Sequence, residues 1–270
     1  MPPVLLLLSL IPTQPKDILE PSNLVAWCVV PFDASQRGPE ERAKMLKKLG
    51  FSMLAYDWRA KHVPTFEKEI LALKKQGIEM FAFWGQHESM FRLIEKHGIA
   101  PQIWQIAPSP RGASQKEKVE KSAKALLPLV NRARKLKCKV GLYNHGGWSG
   151  EPENMVAVCQ WLRKNAKADH VGLVYNFHHG HGHIKNFSAL LSKMKPYLLC
   201  VNLNGMNPQA KPKILPLGKG KHEVEMMRAL TQSGYKGPIG ILDHRSNLDA
   251  EKSLRQNLDG LKKIRERLSK

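Results

Sequence analysis

VGLVYNFHHGHGHIKNF, residues 171–187, opens as an unbroken apolar run and closes on four histidines within six positions: His178, His179, His181 and His183. A short run rich in β-branched and aromatic residues, without polar alternation, reads as a strand buried on both faces, the pattern of a parallel sheet. NFSALLSKMK then places its apolar residues at helical spacing. The stretch is thus one strand–loop–helix unit whose polar chemistry sits at the strand's exit.

The same unit recurs along the chain. LVAWCVV (24–30) precedes PEERAKMLKKLG, FSMLAYD (51–57) precedes TFEKEILALKKQG, and IEMFAFW (78–84) precedes HESMFRLIEKHG. PQIWQIA (101–107) leads to a long helix over about 114–136, and CKVGLYN (138–144) leads to EPENMVAVCQWLRKNA. After 171–177 come YLLCVNL (197–203) with EVEMMRALTQSG, and PIGILD (238–243) with DAEKSLRQNLDGLKKIRERL. Gly50, Gly77, Gly98 and Gly234 stand where helices stop, and Pro39 and Pro152 stand where helices start. Eight alternating pairs in 270 residues predict one α/β domain over residues 23–270, a single (β/α)8 TIM barrel. An open doubly wound sheet is the competing architecture. It usually carries a glycine-rich phosphate turn after its first strand, and PFDASQRG is not one.

In such a barrel, catalysis sits at the carboxyl ends of the strands. The exits hold Phe32 and Asp33; Asp57, Trp58 and Arg59; Trp84, Gln86 and His87; Gln105; Tyr143, Asn144, His145 and Trp148; Asn176, His178 and His179; Asn202 and Asn204; and Asp243, His244 and Arg245. Six of the eleven histidines (His87, His145, His178, His179, His181, His244) fall at or just past an exit, while the amino ends carry Lys, Gly and Pro. Bland loops would favour Lys, Glu and Ser over His and Trp. Side-chain alternation puts Asp57 with Arg59, Tyr143 with His145, Asn176 with His178, Asn202 with Asn204 and Leu242 with His244 on common faces.

Bulk properties narrow the setting. The net charge is +20, but Lys and Arg alternate with apolar residues at helical spacing, so most are solvated outer faces. Nucleic acid is therefore not expected as a partner. Cys28, Cys138, Cys159 and Cys200 form no C-x-x-C pair and read as buried small hydrophobes. No run reaches the ~20 apolar residues of a membrane span. VLLLLSLIP (4–12) makes residues 1–22 an N-terminal extension or a signal peptide. With no basic residue before it and no A-x-A-like site after it, a cytoplasmic chain is favoured over an exported one.

YNHGGW, YNFHHGH, VNLNG and LPLGKGKHEVEMM…SGYKGPIGIL, together spanning the last four strands, resemble the xylose isomerase-like TIM barrel superfamily of sugar phosphate isomerases and epimerases, with its AP endonuclease branch. The resemblance implies a divalent metal held by Glu, Asp, His and Glu on strands five to eight, two of the carboxylates also acting as acid and base. This sequence places Tyr143, Asn176, Asn202 and Leu242 there. All four depart, so the metal is unknown; His145, His178, His179 and His244 are the candidate ligands of a replacement divalent cation. Adjacent His178 and His179 point to opposite sides if the strand continues that far.

The resemblance implies isomerisation or epimerisation of a sugar or sugar derivative by proton transfer. His145, His178, His244 and Asp57 are the expected catalytic groups. Arg59, Trp84, His87, Tyr143, Trp148, Asn176, His179, Asn202, Asn204 and Asp243 are the expected substrate contacts. A lyase or hydrolase using the same mouth, and a non-catalytic sugar-binding barrel, are the alternatives; AP-site cleavage would need a multi-metal cluster rich in His, Asp and Glu, and this chain has the histidines without that set of carboxylates. LGKGKHE (217–223) offers a glycine turn before a helix, either a phosphate cradle or a plain turn. Oligomeric state is left open.

Overall fold

The computed structural model describes residues 17–112 and 114–270. The strands are β1 (Leu24–Trp27), β2 (Met53–Tyr56), β3 (Glu79–Trp84), β4 (Gln102–Gln105), β5 (Val140–Tyr143), β6 (Val171–Asn176), β7 (Leu198–Leu203) and β8 (Ile239–Leu242). They pair in sequence order, all parallel, and β8 closes onto β1 through the register Leu24–Ile239 to Trp27–Leu242. Eight helices cover the outside: α1 (Pro39–Lys48), α2 (Phe66–Lys75), α3 (Glu88–His97), α4 (Gln115–Lys135), α5 (Pro152–Ala166), α6 (Phe187–Met194), α7 (Glu223–Gln232) and α8 (Ala250–Leu268). This is a (β/α)8 barrel.

Burial on both strand faces explains the unbroken apolar runs. One apolar layer lies between strands and helices, with Leu54, Ile103, Leu142, Leu173 and Ile241 facing outward beneath them. A second layer fills the barrel: Val25, Trp27, Ala55, Ala82, Trp104, Tyr143, Val174, Cys200 and Leu242. Large residues there need small neighbours. A Cβ on Gly141 would lie 2.9 Å from Cδ1 of Trp104, and one on Gly240 would lie 1.8 Å from the Asn202 side-chain oxygen. Trp104 and Asn202 occupy the space those glycines leave, so the interior is a packed plug under the mouth.

Helix ends follow the local signals. Gly98 closes α3 in the left-handed conformation at φ 57°. Ser114 and Glu117 form a reciprocal capping pair that opens α4. At the amino end, Asn23 donates to the carbonyls of Ile18 and Gly237 at 2.8 and 2.9 Å, so Ile18 and Leu19 are packed under the barrel. Most of the expected extension, residues 1–16, lies outside the described residues. No helix among the described residues is long and apolar enough to cross a membrane.

Candidate active site

A cavity of about 140 Å³ opens at the carboxyl ends of the strands, lined by Trp27, Cys28, Phe32, Asp57, Arg59, Trp84, Tyr143, His145, Asn176, His179 and His244. Nine of these stand at the strand exits, and eight of them were expected as catalytic groups or substrate contacts. Trp27, Cys28 and Phe32 were not assigned roles. Trp27 ends β1 on the inward face, and the chain then breaks at Cys28, which takes φ 56°. Its indole lies 5.6 Å from Trp84 and 4.8 Å from Trp104, centroid to centroid, so two tilted indoles wall the cavity and a third lies beneath.

The floor is a polar knot. Trp27 Nε1 donates to the Tyr143 hydroxyl at 2.9 Å, and Asn176 Nδ2 donates to the same oxygen at 2.5 Å. Asn144 holds Asn176 by its backbone: Asn176 N donates to Asn144 Oδ1 at 2.6 Å, and Asn144 Nδ2 donates to the Asn176 carbonyl at 3.1 Å. Burial pushes the Tyr143 hydroxyl well above its ordinary range, so it stays a neutral phenol.

This arrangement also tests the metal that the fold family implies. Tyr143, Asn176 and Leu242 end β5, β6 and β8, and Asn202 lies inward on β7. A cation needs lone pairs, yet two N–H groups converge on the Tyr143 oxygen and Leu242 has no ligand atom. The residues present do not fit that group. Nor do the imidazoles close a cage: among the described residues no three His, Cys, Asp or Glu side chains are placed to hold a metal ion. They form a row. His145 lies 4.4 Å from His179, His179 lies 4.7 Å from His178, and His178 lies 4.8 Å from His244.

The row exists because β6 stops at Asn176. Asn176 Oδ1 accepts from His178 N at 3.0 Å and caps a 3-10 turn over Phe177–His179. The strand does not continue to the two adjacent histidines, so the condition for placing them on opposite sides is not met, and the turn brings their rings together. His179 lines the cavity, and His178 lies buried between His179 and His244. Burial lowers all four imidazoles: His178 goes to about 3, and His145, His179 and His244 shift the same way. Near neutral pH these rings are uncharged. Nδ1 of His178 and Nδ1 of His244 are buried without a partner.

Asp57 is the single carboxyl among the residues lining the cavity. Its Oδ1 accepts from Val30 N at 3.3 Å, while Oδ2 is buried and unpartnered. Burial raises it to about 7, against the opposing pull of the Arg59 charge. A carboxyl at that value exchanges a proton near neutral pH.

Several expected contacts lie elsewhere. His87 caps α3, its Nδ1 accepting from Ser89 N at 3.2 Å, and its ring packs on Trp58 and Phe66. Trp148 donates to Gln115 Oε1 at 2.9 Å, away from the cavity. Asn204 ties down the loop after β7, donating to the Gly205 and Lys213 carbonyls at 2.8 and 2.9 Å. Asn202 is fully buried against Gly240 below the cavity, with its Nδ2 unpartnered. Asp243 is buried outside the lining, both oxygens unpartnered, and burial raises it to about 8. In LGKGKHE the glycine turn is occupied by its own chain: Glu223 accepts from Gly220 N at 2.7 Å and from Met206 N at 3.1 Å. It is a turn, with no backbone donors left at those positions for phosphate.

A family model described as a xylose isomerase-like TIM barrel matches residues 28–264. The chain belongs to that family. Solved structures with the same fold include the apo form of a 3-keto-D-glucoside 4-epimerase from E. coli (TM-score 0.65, 16% identity, covering 91% of this chain and 99% of that one). A D-psicose 3-epimerase from Clostridium cellulolyticum, crystallised with D-tagatose, gives TM-score 0.64 at 14% identity over 91% and 99%. A probable 3-DHS dehydratase from Bacillus anthracis gives 0.65 at 12% over 89% and 98%. At such identities the likeness is one of fold. No protein of curated function matches the sequence significantly.

Proposed function

We propose that this xylose isomerase-like barrel is an enzyme that moves a proton next to the carbonyl of a small sugar or sugar derivative, without the family's carboxylate-held metal. The observation that carries the reading is Asp57, a buried carboxyl at about 7 with one free oxygen, set in a cavity walled by indoles and imidazoles. Flat aromatic walls suit the carbon faces of a sugar, and amide and imidazole nitrogens suit its hydroxyls. The names of the fold relatives, two of the three reported being sugar epimerases, point the same way. A cavity of about 140 Å³ is smaller than the ~300–1,000 Å³ of ordinary ligand sites, so it takes one small ring or the end of a longer molecule.

The Asp57 carboxylate takes the proton from the carbon beside the carbonyl and becomes the acid. The electron pair of the broken C–H bond moves into a C–C double bond, and the carbonyl oxygen becomes the enediolate oxygen. Neutral imidazole N–H groups of His145 and His179 donate hydrogen bonds to that oxygen. Burial lowers both imidazoles from their ordinary value, so near neutral pH they serve as hydrogen-bond donors and not as general acids. Of the four groups expected to be catalytic, His145 and His178 therefore take hydrogen-bonding and supporting roles, and Asp57 is the base.

A single base returns the proton to the face it came from. That favours an aldose–ketose shift, in which Asp57 gives its proton to the former carbonyl carbon while the proton of the neighbouring hydroxyl passes to the enediolate oxygen, over epimerisation, which needs a second group across the ring. The test is chromatography of products from a panel of aldoses and ketoses incubated with the protein under a chelator. Interconversion without fragments supports the reading; two fragments would indicate a lyase or hydrolase; binding without turnover would indicate a carbohydrate-binding barrel.

A further inference from the structure

The amino end of the barrel, opposite the cavity, gathers cations that the proposed chemistry leaves unused. The helices run antiparallel to the strands, so helix C-termini and strand entries share that end. Cations are dense where α4 and α5 finish. Arg134, Lys135, Lys137 and Lys139 run from the last turn of α4 to the start of β5, and Lys164 and Lys167 close α5. Arg134 joins the two groups: its Nη2 donates to the carbonyls of Ala166 and Lys167 at 2.7 and 3.2 Å. The strand entries are adjacent too, Val140 N donating to the His170 carbonyl at 3.0 Å. All six side chains are exposed, and among the described residues none of them forms an ion pair. Several surface cations elsewhere are paired: Lys96 with Glu67, Lys124 with Glu120, Arg132 with Glu88 and Lys193 with Glu153. Asp169 is the single acid in the two turns that lead into β5 and β6.

Helix polarity accounts for basic residues in a last turn. It does not account for Lys137 and Lys167, whose backbones are left-handed at φ 57° and 48°. At the same place α1, α2, α3 and α7 carry Gly50, Gly77, Gly98 and Gly234. A side chain in that conformation costs free energy that glycine avoids. Two helix ends thus hold a charge where local geometry favours glycine.

We propose that this face docks on an anionic phospholipid bilayer, with the cavity turned away toward solvent. The inference stands apart from the proposed sugar chemistry. Two observations favour a bilayer over a nucleic acid. The exposed large apolar side chains among the described residues are Leu71 and Ile214, so the patch presents no exposed aromatic ring on which a base could stack. The chain also enters the barrel at this end, where Arg265 holds Asp17 at 2.6 Å, and the apolar run VLLLLSLIP (4–12) stands a few residues before Asp17. That run is shorter than the ~20 residues of a span. An apolar segment and a polybasic surface at one end are the two signals that together hold a protein on a membrane surface.

The test is co-sedimentation of the full chain with vesicles of phosphatidylcholine alone and of phosphatidylcholine with about one-third phosphatidylglycerol. Binding to the anionic vesicles should be at least about tenfold tighter, the gap shrinking as ionic strength rises. At about fivefold per lysine, the triple variant Lys137→Gln, Lys139→Gln, Lys167→Gln should bind them about a hundredfold more weakly. Lys116→Gln, Lys118→Gln, Lys121→Gln removes the same charge from the other end of α4 and should change binding less than about threefold. The pair Lys137→Gly, Lys167→Gly separates charge from folding: its unfolding midpoint should hold or rise while vesicle binding falls. Equal binding to neutral and anionic vesicles, or equal losses in the two triple variants, overturns the proposal. Retention of a DNA duplex with no vesicle binding assigns the patch to nucleic acid and overturns the bilayer. Binding to neither overturns the docking face altogether.

Discussion

Four histidines share six positions after β6, and they divide into two pairs. His181 sets Nδ1 against the Asn207 carbonyl at 2.8 Å and Nε2 against the Lys213 carbonyl at 3.1 Å. His183 sets Nδ1 against the Tyr175 hydroxyl at 3.0 Å and Nε2 against Glu151 at 3.1 Å. Both nitrogens of both rings face protein partners, a neutral His181 donating to one of its two carbonyls, and the pair pins the loop to its neighbours. His178 and His179 are the reverse: one buried nitrogen of His178 has no partner, and His179 faces the cavity. Rings held by protein partners build the loop; His178 and His179 are left at the cavity, where the proposed function uses them. Spacing alone does not separate them, because the division depends on what the β5, β7 and α5 segments bring across.

The largest expected effect lies outside both pairs and sharpens the difference. Asp57→Asn keeps the shape of the side chain and removes the proton acceptor, so kcat/KM should fall about 10²- to 10⁴-fold while unfolding midpoints hold. In the wild-type protein kcat/KM should climb with pH through about 7, because the base must lose its proton and burial holds that proton on up to this value. A steady-state rate profile across that range is the check.

The histidine pairs should then part in opposite directions. His181→Ala removes the ring packed between two backbone carbonyls and the hydrogen bond it donates, and should cost about 1 kcal/mol of stability, read by urea unfolding. His179→Ala should leave stability nearly unchanged and lower kcat/KM about tenfold or more. Equal losses of stability in the two variants would erase the distinction between loop-building and ligand-facing rings.

A smaller effect concerns acid. His145, His178, His179 and His244 have folded values below their ordinary 6.5, so the unfolded chain binds protons first as pH falls. Their contribution to stability is present above 6.5 and is lost as pH falls from there toward about 3. Asp57 and Asp243 run the other way: their contribution is full below 3.8 and is lost as pH rises through about 7 and about 8. Thermal unfolding midpoints against pH should show a gentler acid slope in His178→Asn than in the wild type.

The barrel was legible because each strand is buried on two faces and each helix on one, and those periods survive in sequence. Every strand expected from an apolar run is present, shorter by one to three residues at its ends where backbone pairing stops before the apolar residues do, as at Trp27 with Cys28, Val29 and Val30 still buried beyond it. The mouth was legible only as a collection of exits. Trp27 was missed because a tryptophan in an apolar run reads as core; alternation on β1, with Val25 and Trp27 on one face, was the available signal. His87, Trp148 and Asn204 follow strands as catalytic residues do, but their polar atoms are taken by a helix cap, by α4 and by a loop, pairings that only the folded chain reveals.

The proposed proton removal by Asp57 would leave an isotopic record that needs no knowledge of the product. The protein is incubated in deuterium oxide with chelator and a panel of ketoses, aldoses and their acids, and the sugars are examined by mass spectrometry and proton NMR. The expected result is deuterium at the carbon beside the carbonyl of at least one sugar, retained after chelation and absent with Asp57→Asn. Exchange that needs an added divalent metal, or that continues unchanged in the Asp57→Asn protein, would contradict a metal-free site built on Asp57.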